Sequence, residues 1–301
     1  MSRLLAVLAT ALLAPVAFAA GPAFDGKAAM AHVERLVGFG PRPSGSPALA
    51  RARAYIVQEL KGAGARVSEQ PFTVQTPDGA IRMVNVVGEL PGRVPDVIVL
   101  GGHYDTKFFS TFAFLGANDG GSSSGLLLEL ARALGKRRRE FTYWIVLFDG
   151  EEARREWSPT DGIYGSRHFV QSLVRDGRLT RVRAVVVVDM IGDRELDIRR
   201  EAASTAWLTD VLWGSARRLG HQSQFLDEVL AVEDDHVPFL KAGIPSALVI
   251  DFNYGPYWHT PQDTLDKLSP TSLQIVGDVL LDALPAMEVL LRRGAGREGP
   301  R

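Results

Sequence analysis

Asp149-Gly150-Glu151-Glu152 follows directly on the apolar run Phe141-Thr-Tyr-Trp-Ile-Val-Leu-Phe148. Adjacent carboxylates cost free energy unless something separates their roles or neutralises one. At the carboxyl end of a buried strand the usual neutraliser is a bound cation. One glutamate then ligates the metal, and the other stays free to carry a proton. The competing reading is a solvated acidic turn. Other positions weigh against it. A buried run at 97–100 leads to His103-Tyr104-Asp105, and one at 184–188 leads to Asp189. A third, at 246–250, leads through a loop to Trp258-His259. Asp119 lies in the glycine-rich turn Gly116-Ala-Asn-Asp-Gly-Gly121 before a helix.

Each residue alone has an ordinary structural reading. His103 could be a satisfied core histidine, but in His-x-Asp the second carboxylate can orient the ring. Asp119 could be a plain turn residue. Asp189 follows four valines and would be costly to bury unpaired. His259, before Thr-Pro, could merely end a loop. Asp234, in Glu233-Asp-Asp-His-Val-Pro-Phe239, could simply favour a helix N-terminus. His32, His168, His221 and His236 read as structural. Taken together, Asp119, the Glu151-Glu152 pair and the polar residues at matching strand ends point to a metal. Imidazole and carboxylate ligands without thiolates suit zinc.

The elements that position these residues alternate. Helical periodicity marks 27–37, 47–63, 125–134, 166–175, 206–219, 238–242 and 272–292. Strand patterns mark 67–75, 82–90, 97–100, 141–148, 184–188 and 246–250, with a Pro77-Asp78-Gly79 turn between the first two. Continuous Val/Ile/Leu strands separated by helices imply a sheet covered on both faces. The expected fold is α/β: one domain with a central, mostly parallel (mixed) sheet. Ligands in such sheets bind beyond the carboxyl ends of the strands, where the polar residues fall.

The 301 residues are 46% hydrophobic and 23% charged, an ordinary globular composition. A formal net charge of -1 gives no electrostatic reason to expect nucleic acid or an anionic membrane as partner. Arg3, an apolar run at 4–16 and Ala17-Phe18-Ala19 form an export signal. The expectation is a signal peptide over 1–19, a catalytic domain over 20–301, and a periplasmic or secreted location. The chain has no cysteine, hence no disulfide.

The set His103-Tyr104-Asp105, Asp119, Glu151-Glu152, Asp189 and His259 resembles the zinc exopeptidases that include secreted bacterial aminopeptidases. Longer motifs resemble one branch, the animal-type glutaminyl-peptide cyclotransferases. These are His103-Tyr-Asp-Thr-Lys-Phe-Phe109, Asp149-Gly-Glu-Glu-Ala153, Trp157-Ser-Pro-Thr-Asp-Gly-Ile-Tyr-Gly-Ser-Arg-His168, Glu233-Asp-Asp-His-Val-Pro-Phe239 and Trp258-His-Thr260. The resemblance covers nearly the whole chain after the export signal and implies a zinc-exopeptidase-like fold. It implies that Asp119, Glu152 and His259 hold one zinc. Glu151 becomes the general acid/base, with Asp189 and Asp234 in a carboxylate hydrogen-bond network around it. Trp157, Trp258, Phe109 and Tyr254 would line the substrate pocket. The implied reaction turns the N-terminal glutamine of a peptide into pyroglutamate with release of ammonia. The partner is a peptide or protein with a free N-terminus, and the chain is expected to act as a monomer.

The chain departs from the animal pattern in places. Gly102 and Ser124 stand near the positions of a common disulfide, and Asp119 continues as Gly-Gly-Ser-Ser-Ser. A secreted zinc aminopeptidase is the alternative. There Glu151 would activate water, and His103 and Asp189 would bind a second zinc. A non-enzymatic binding module would show eroded ligands, and none of the metal-type positions is missing.

Overall fold

The computed structural model describes residues 23–295. The expected signal peptide lies outside them. The chain runs α1 (Gly26–Val37), α2 (Pro47–Gly62), β1 (Arg66–Thr76), β2 (Gly79–Leu90), β3 (Val97–His103), α3 (Gly121–Gly135), β4 (Thr142–Phe148), α4 (Tyr164–Arg175), β5 (Val182–Asp189), β6 (Ile198–Glu201), α5 (Ala206–Leu219), β7 (Phe225–Leu230), α6 (Val237–Lys241), β8 (Ser246–Ile250) and α7 (Pro270–Arg292). Six strands form one mixed sheet in the order β1-β2-β4-β3-β5-β8. The hairpin β1-β2 is antiparallel and joins β4 antiparallel, while β4, β3, β5 and β8 are parallel.

Side chains alternate across a strand, and the central strands are apolar on both faces. Ile98, Leu100, Ile145, Leu147 and Val186 pack under α1, α2, α3, α5 and α7. Val97, Val99, Trp144, Val146 and Val187 pack under α4 and α6. This is the fold expected from the sequence. Among the described residues no helix is long and apolar enough to cross a membrane.

The parallel register sets the height of the site. His103, the last residue of β3, pairs with Phe148, the last of β4. Gly101 pairs with Val187, each two residues short of His103 and Asp189. Asp189, the last of β5, pairs with Ile250, the last of β8. The polar residues after each apolar run therefore emerge at one level.

Two features differ from expectation. Helix α3 begins at Gly121, four residues earlier than the periodicity suggests. Ser122, Ser123 and Ser124 are poor helix formers, but all three are fully buried. Ser122 Oγ donates to Asn118 O at 2.6 Å and Ser124 Oγ to His103 O at 2.8 Å. One local and one tertiary side-chain bond thus support the first turn. The short parallel pair β6-β7 was also not expected. It comprises four- and six-residue strands, and β7 contains Asp227-Glu228, so neither gives a clear pattern.

Helix α3 lies close against α1. A Cβ on Gly125 would come within 2.5 Å of Val33 Cγ2 and 2.8 Å of Ala29 O. Gly125→Ala is expected to cost about 1–3 kcal/mol through overpacking. Urea unfolding checks this; an unchanged midpoint would mean that α1 yields freely.

Candidate active site

Asp119, Glu152 and His259 meet. His259 Nε2 lies 3.2 Å from Asp119 Oδ2 and 3.3 Å from Glu152 Oε2. The three residues offer ligand atoms within 4.8 Å of one another. A tetrahedral zinc with bonds of about 2.1 Å has ligand–ligand edges of about 3.4 Å. The observed separations match such edges, and the donors are oxygen and imidazole nitrogen. The residues fit a zinc-sized cation.

A second set shares Asp119. His103 Nε2 lies 3.2 Å from Asp119 Oδ1 and 3.1 Å from Asp189 Oδ1. His103, Asp119 and Asp189 also offer ligand atoms within 4.8 Å of one another. Burial opposes a charge on His103, but the surrounding aspartates outweigh it and raise its pKa well above the ordinary value.

Glu151 is buried yet lines the same cavity as Asp189 and Asp234. Burial pushes its carboxyl well above the usual range; Asp234 and Glu152 add to this, while His103 opposes it. A carboxyl whose proton affinity is raised by burial is suited to proton transfer. Asp234 is pushed up to about 7 by burial and by Asp189. Asp189 Oδ1 accepts from Met190 N at 2.8 Å and lies 3.1 Å from His103 Nε2, and Asp234 Oδ1 accepts from the Asp235 amide.

The turn that carries both glutamates is gripped from outside. Glu151 N–H and Glu152 N–H donate to the two oxygens of Asp105, at 3.2 and 3.4 Å. Asp105 also lies 3.6 Å from His103 Nδ1, an ion-pair contact too long for a hydrogen bond. Its main grip is on the glutamate turn, whereas the sequence suggested the histidine ring. Asp149 accepts from Val84 N at 2.7 Å and from Ser44 Oγ at 2.6 Å, tying the same turn to β2. Lys107 N donates to Glu152 Oε1 at 3.1 Å.

The cavity measures ≈ 520 Å³. Trp157, Trp258 and Phe252 stand at its mouth, 42%, 43% and 43% exposed, so their rings are free to meet a ligand. Trp157 Nε1 donates to Glu233 Oε2 at 3.3 Å. Trp258 stacks on His259 at 4.2 Å and packs on Phe252 at 5.1 Å. His259 has φ 55, a left-handed conformation unusual outside glycine. Such strain persists where surrounding structure enforces it.

Two expected pocket residues lie elsewhere. Tyr254 is buried, and its hydroxyl donates to Asp263 Oδ1 at 2.8 Å. Phe109 packs behind the site, edge-on to His259 at 5.9 Å beside Phe112 and Phe114. Both are aromatics near a ligand, and composition gives no sign of which side of the loop they face. Phe252 takes the rim position instead. Asp263 and Arg42 also hold the Asp119 turn, and neither carries a spacing signal in the sequence.

The buried acids generate a pH dependence. Burial, as the largest cause, pushes Asp149 and Asp251 up to about 7, as for Asp234, and Asp263 to about 6. Burial disfavours charge on His259, but Glu152 and Asp119 outweigh it and push it up to about 10. An acid raised in the folded state binds protons more tightly there, so stability falls as pH climbs from its unfolded to its folded value. A raised histidine acts in the same sense: its contribution is full below its unfolded pKa and is lost as pH rises through the folded one. Asp119 is held below its ordinary value by His103 and His259 against burial, and acts oppositely only in more acid solution. Chelator-treated protein is expected to be less stable at about pH 8 than at about pH 5, by more than about 1.4 kcal/mol, the worth of one pKa unit. Added zinc should flatten the slope. Urea unfolding at both pH values checks it, and greater stability at the higher pH would contradict the sign.

Residues 85–284 match peptidase family M28, a span that holds every candidate site residue. A mouse glutaminyl-peptide cyclotransferase-like protein is 33% identical over 269 residues, covering 79% of this chain and 70% of that protein. A glutaminyl cyclase from an Acidobacteriales bacterium superposes with a TM-score of 0.87 at 40% identity, spanning 94% of this chain and 100% of that one. The glutaminyl cyclase of Porphyromonas gingivalis gives a TM-score of 0.82 at 29% identity, spanning 88% and 99%. This chain belongs to peptidase family M28, in its glutaminyl-peptide cyclotransferase branch.

Proposed function

We propose that the protein converts the N-terminal glutamine of peptides into pyroglutamate, releasing ammonia, with one zinc held by Asp119, Glu152 and His259. The observation that carries this reading is Glu151: a buried carboxyl of raised proton affinity beside a candidate zinc-ligand set, under an aromatic rim. A zinc ion bound there would supply Lewis-acid chemistry toward an amide carbonyl. The α-amine of the substrate attacks its own side-chain amide carbon and closes a five-membered ring. Glu151 accepts the proton the amine gives up. It returns that proton to the departing amide nitrogen, which leaves as ammonia. The nucleophile is tethered, so the substrate itself supplies most of the entropy of approach. Trp157 and Trp258 line the entrance and limit water, which would favour hydrolysis. The export signal read at 1–19 supports a periplasmic or secreted location for this chemistry.

The second ligand set favours an aminopeptidase as the other reading, since His103, Asp119 and Asp189 could hold a further ion. Purified protein incubated with Gln-initiated peptides and with aminoacyl anilides separates the two. Ammonia and pyroglutamate are expected, with one zinc per chain; rapid anilide cleavage without pyroglutamate would reverse the ranking. Glu151→Gln is expected to retain zinc and lose about a hundred- to ten-thousand-fold in turnover. Unchanged turnover would remove Glu151 from proton transfer. Trp258→Ala is expected to raise KM while metal content holds. Loss of metal instead would reassign Trp258 to support of His259.

A further inference from the structure

Asp119 and His259 sit on different loops, 140 residues apart in sequence, yet their ligand atoms are 3.2 Å apart. Something fixes that distance before any ion arrives. The connection is Asp263, a fully buried carboxylate four residues beyond His259. Its Oδ1 accepts from Asn118 N at 2.8 Å, and its Oδ2 accepts from Asp119 N at 3.1 Å. The backbone of the Asp119 turn is therefore held by a side chain from the His259 loop.

The same carboxylate braces its own loop. Tyr254 Oη donates to Oδ1 at 2.8 Å, and Asp263 N donates to Thr260 O at 3.2 Å. His259 lies between Tyr254 and Asp263, so both flanks of its segment converge on one carboxylate. The carbonyl side of the Asp119 turn is held separately. Buried Arg42 donates to Leu115 O at 2.9 Å and to Gly116 O at 3.0 Å. With Arg42 on the carbonyls and Asp263 on the amides, the turn has little freedom to shift.

We infer that Asp263 is a positioning residue for the metal centre: it locks the Asp119 turn to the His259 loop and so sets the spacing of two of the three ligands. Tyr254 is its accessory, holding the carboxylate in the orientation that serves both amides. The inference rests on the reading of Asp119, Glu152 and His259 as metal ligands. It assigns Asp263 no contact with substrate.

The test is zinc affinity by competition with a chromophoric chelator, measured on folded protein, with the visible spectrum of the cobalt-substituted form as a geometric readout. Asp263→Asn keeps size and shape but replaces one acceptor oxygen with a donor. It is expected to weaken zinc binding roughly 10- to 100-fold and to shift the cobalt bands. Tyr254→Phe leaves both amide bonds in place and removes only the brace; a measurable loss smaller than that of Asp263→Asn is expected. It is the working variant if Asp263→Asn does not fold. A general loss of stability would lower the unfolding midpoint without moving the affinity or the spectrum of the folded fraction. Wild-type zinc affinity and unchanged cobalt bands in a folded Asp263→Asn protein, or in Tyr254→Phe where that is the working variant, would overturn the assignment. Absence of zinc binding by the unaltered protein is a different result: it would overturn the metal reading of the site, and this inference with it.

Discussion

Negative charge buried at one end of the sheet is the constraint around which this structure is arranged. Asp119, Glu151, Glu152, Asp189 and Asp234 are all buried and line one cavity. A carboxylate taken out of water is unstable unless it is paired, protonated or bound to a metal. The chain brings His103 and His259 into direct contact with the cluster. Lys107 reaches only to 4.0 Å from Glu152, and its ammonium donates to Ala153 O at 2.8 Å. Two imidazolium charges cannot neutralise five carboxylates. The rest of the imbalance can be relieved in two chemically distinct ways, by proton uptake on Glu151, whose carboxyl burial pushes well up, and by a cation, for which Asp119, Glu152 and a deprotonated His259 offer ligand atoms. The two capacities that the reaction needs thus arise from one electrostatic problem.

A layer of further aspartates gives this cluster its shape. Asp105, Asp149 and Asp263 are each nearly inaccessible, and each accepts backbone amide hydrogens from a segment near the site. Asp105 holds the turn with both glutamates. Asp149 anchors the start of that turn to β2. Asp263 holds the turn of Asp119. Backbone amides are fixed in direction by the chain, so a carboxylate that takes them fixes the chain in return. The parallel strands bring the functional residues to one height, and these carboxylate–amide bonds set their separations within ångströms. Precision at this scale is what supporting groups around a metal provide.

Much of this was legible in the sequence. Strands such as Val185-Val186-Val187-Val188 announce burial on both faces, and a charged residue directly after one has few innocent explanations. That logic located Asp189, Glu151, Glu152 and His103. It failed where the signal lies in a partner that sequence cannot indicate. Asp263 meets amides 144 and 145 residues away, and a backbone N–H has no residue type to read. Phe109 and Tyr254 were recognised as aromatics near the site, but the direction of a loop side chain depends on φ and ψ there. Tyr254 turns inward because its hydroxyl finds Asp263, and Phe109 because it joins Phe112 and Phe114 behind His259. The early start of α3 has no sequence signature, because its first turn holds three serines, poor helix formers that buried partners sustain.

The position of His103 bears on how a fold with two potential ligand sets can work with a single ion. Its Nε2 approaches both Asp119 and Asp189, at 3.2 and 3.1 Å, and those aspartates favour its charged form. An imidazolium there supplies the positive charge that a second metal would otherwise bring. Hydrolysis requires water to be made into a nucleophile, a task a bound metal ion can perform. Ring closure carries its nucleophile within the substrate and has no such demand. For the cyclisation His103 can therefore serve as an internal cation, with Asp119 directing its other oxygen toward His259 and the candidate zinc ligands there.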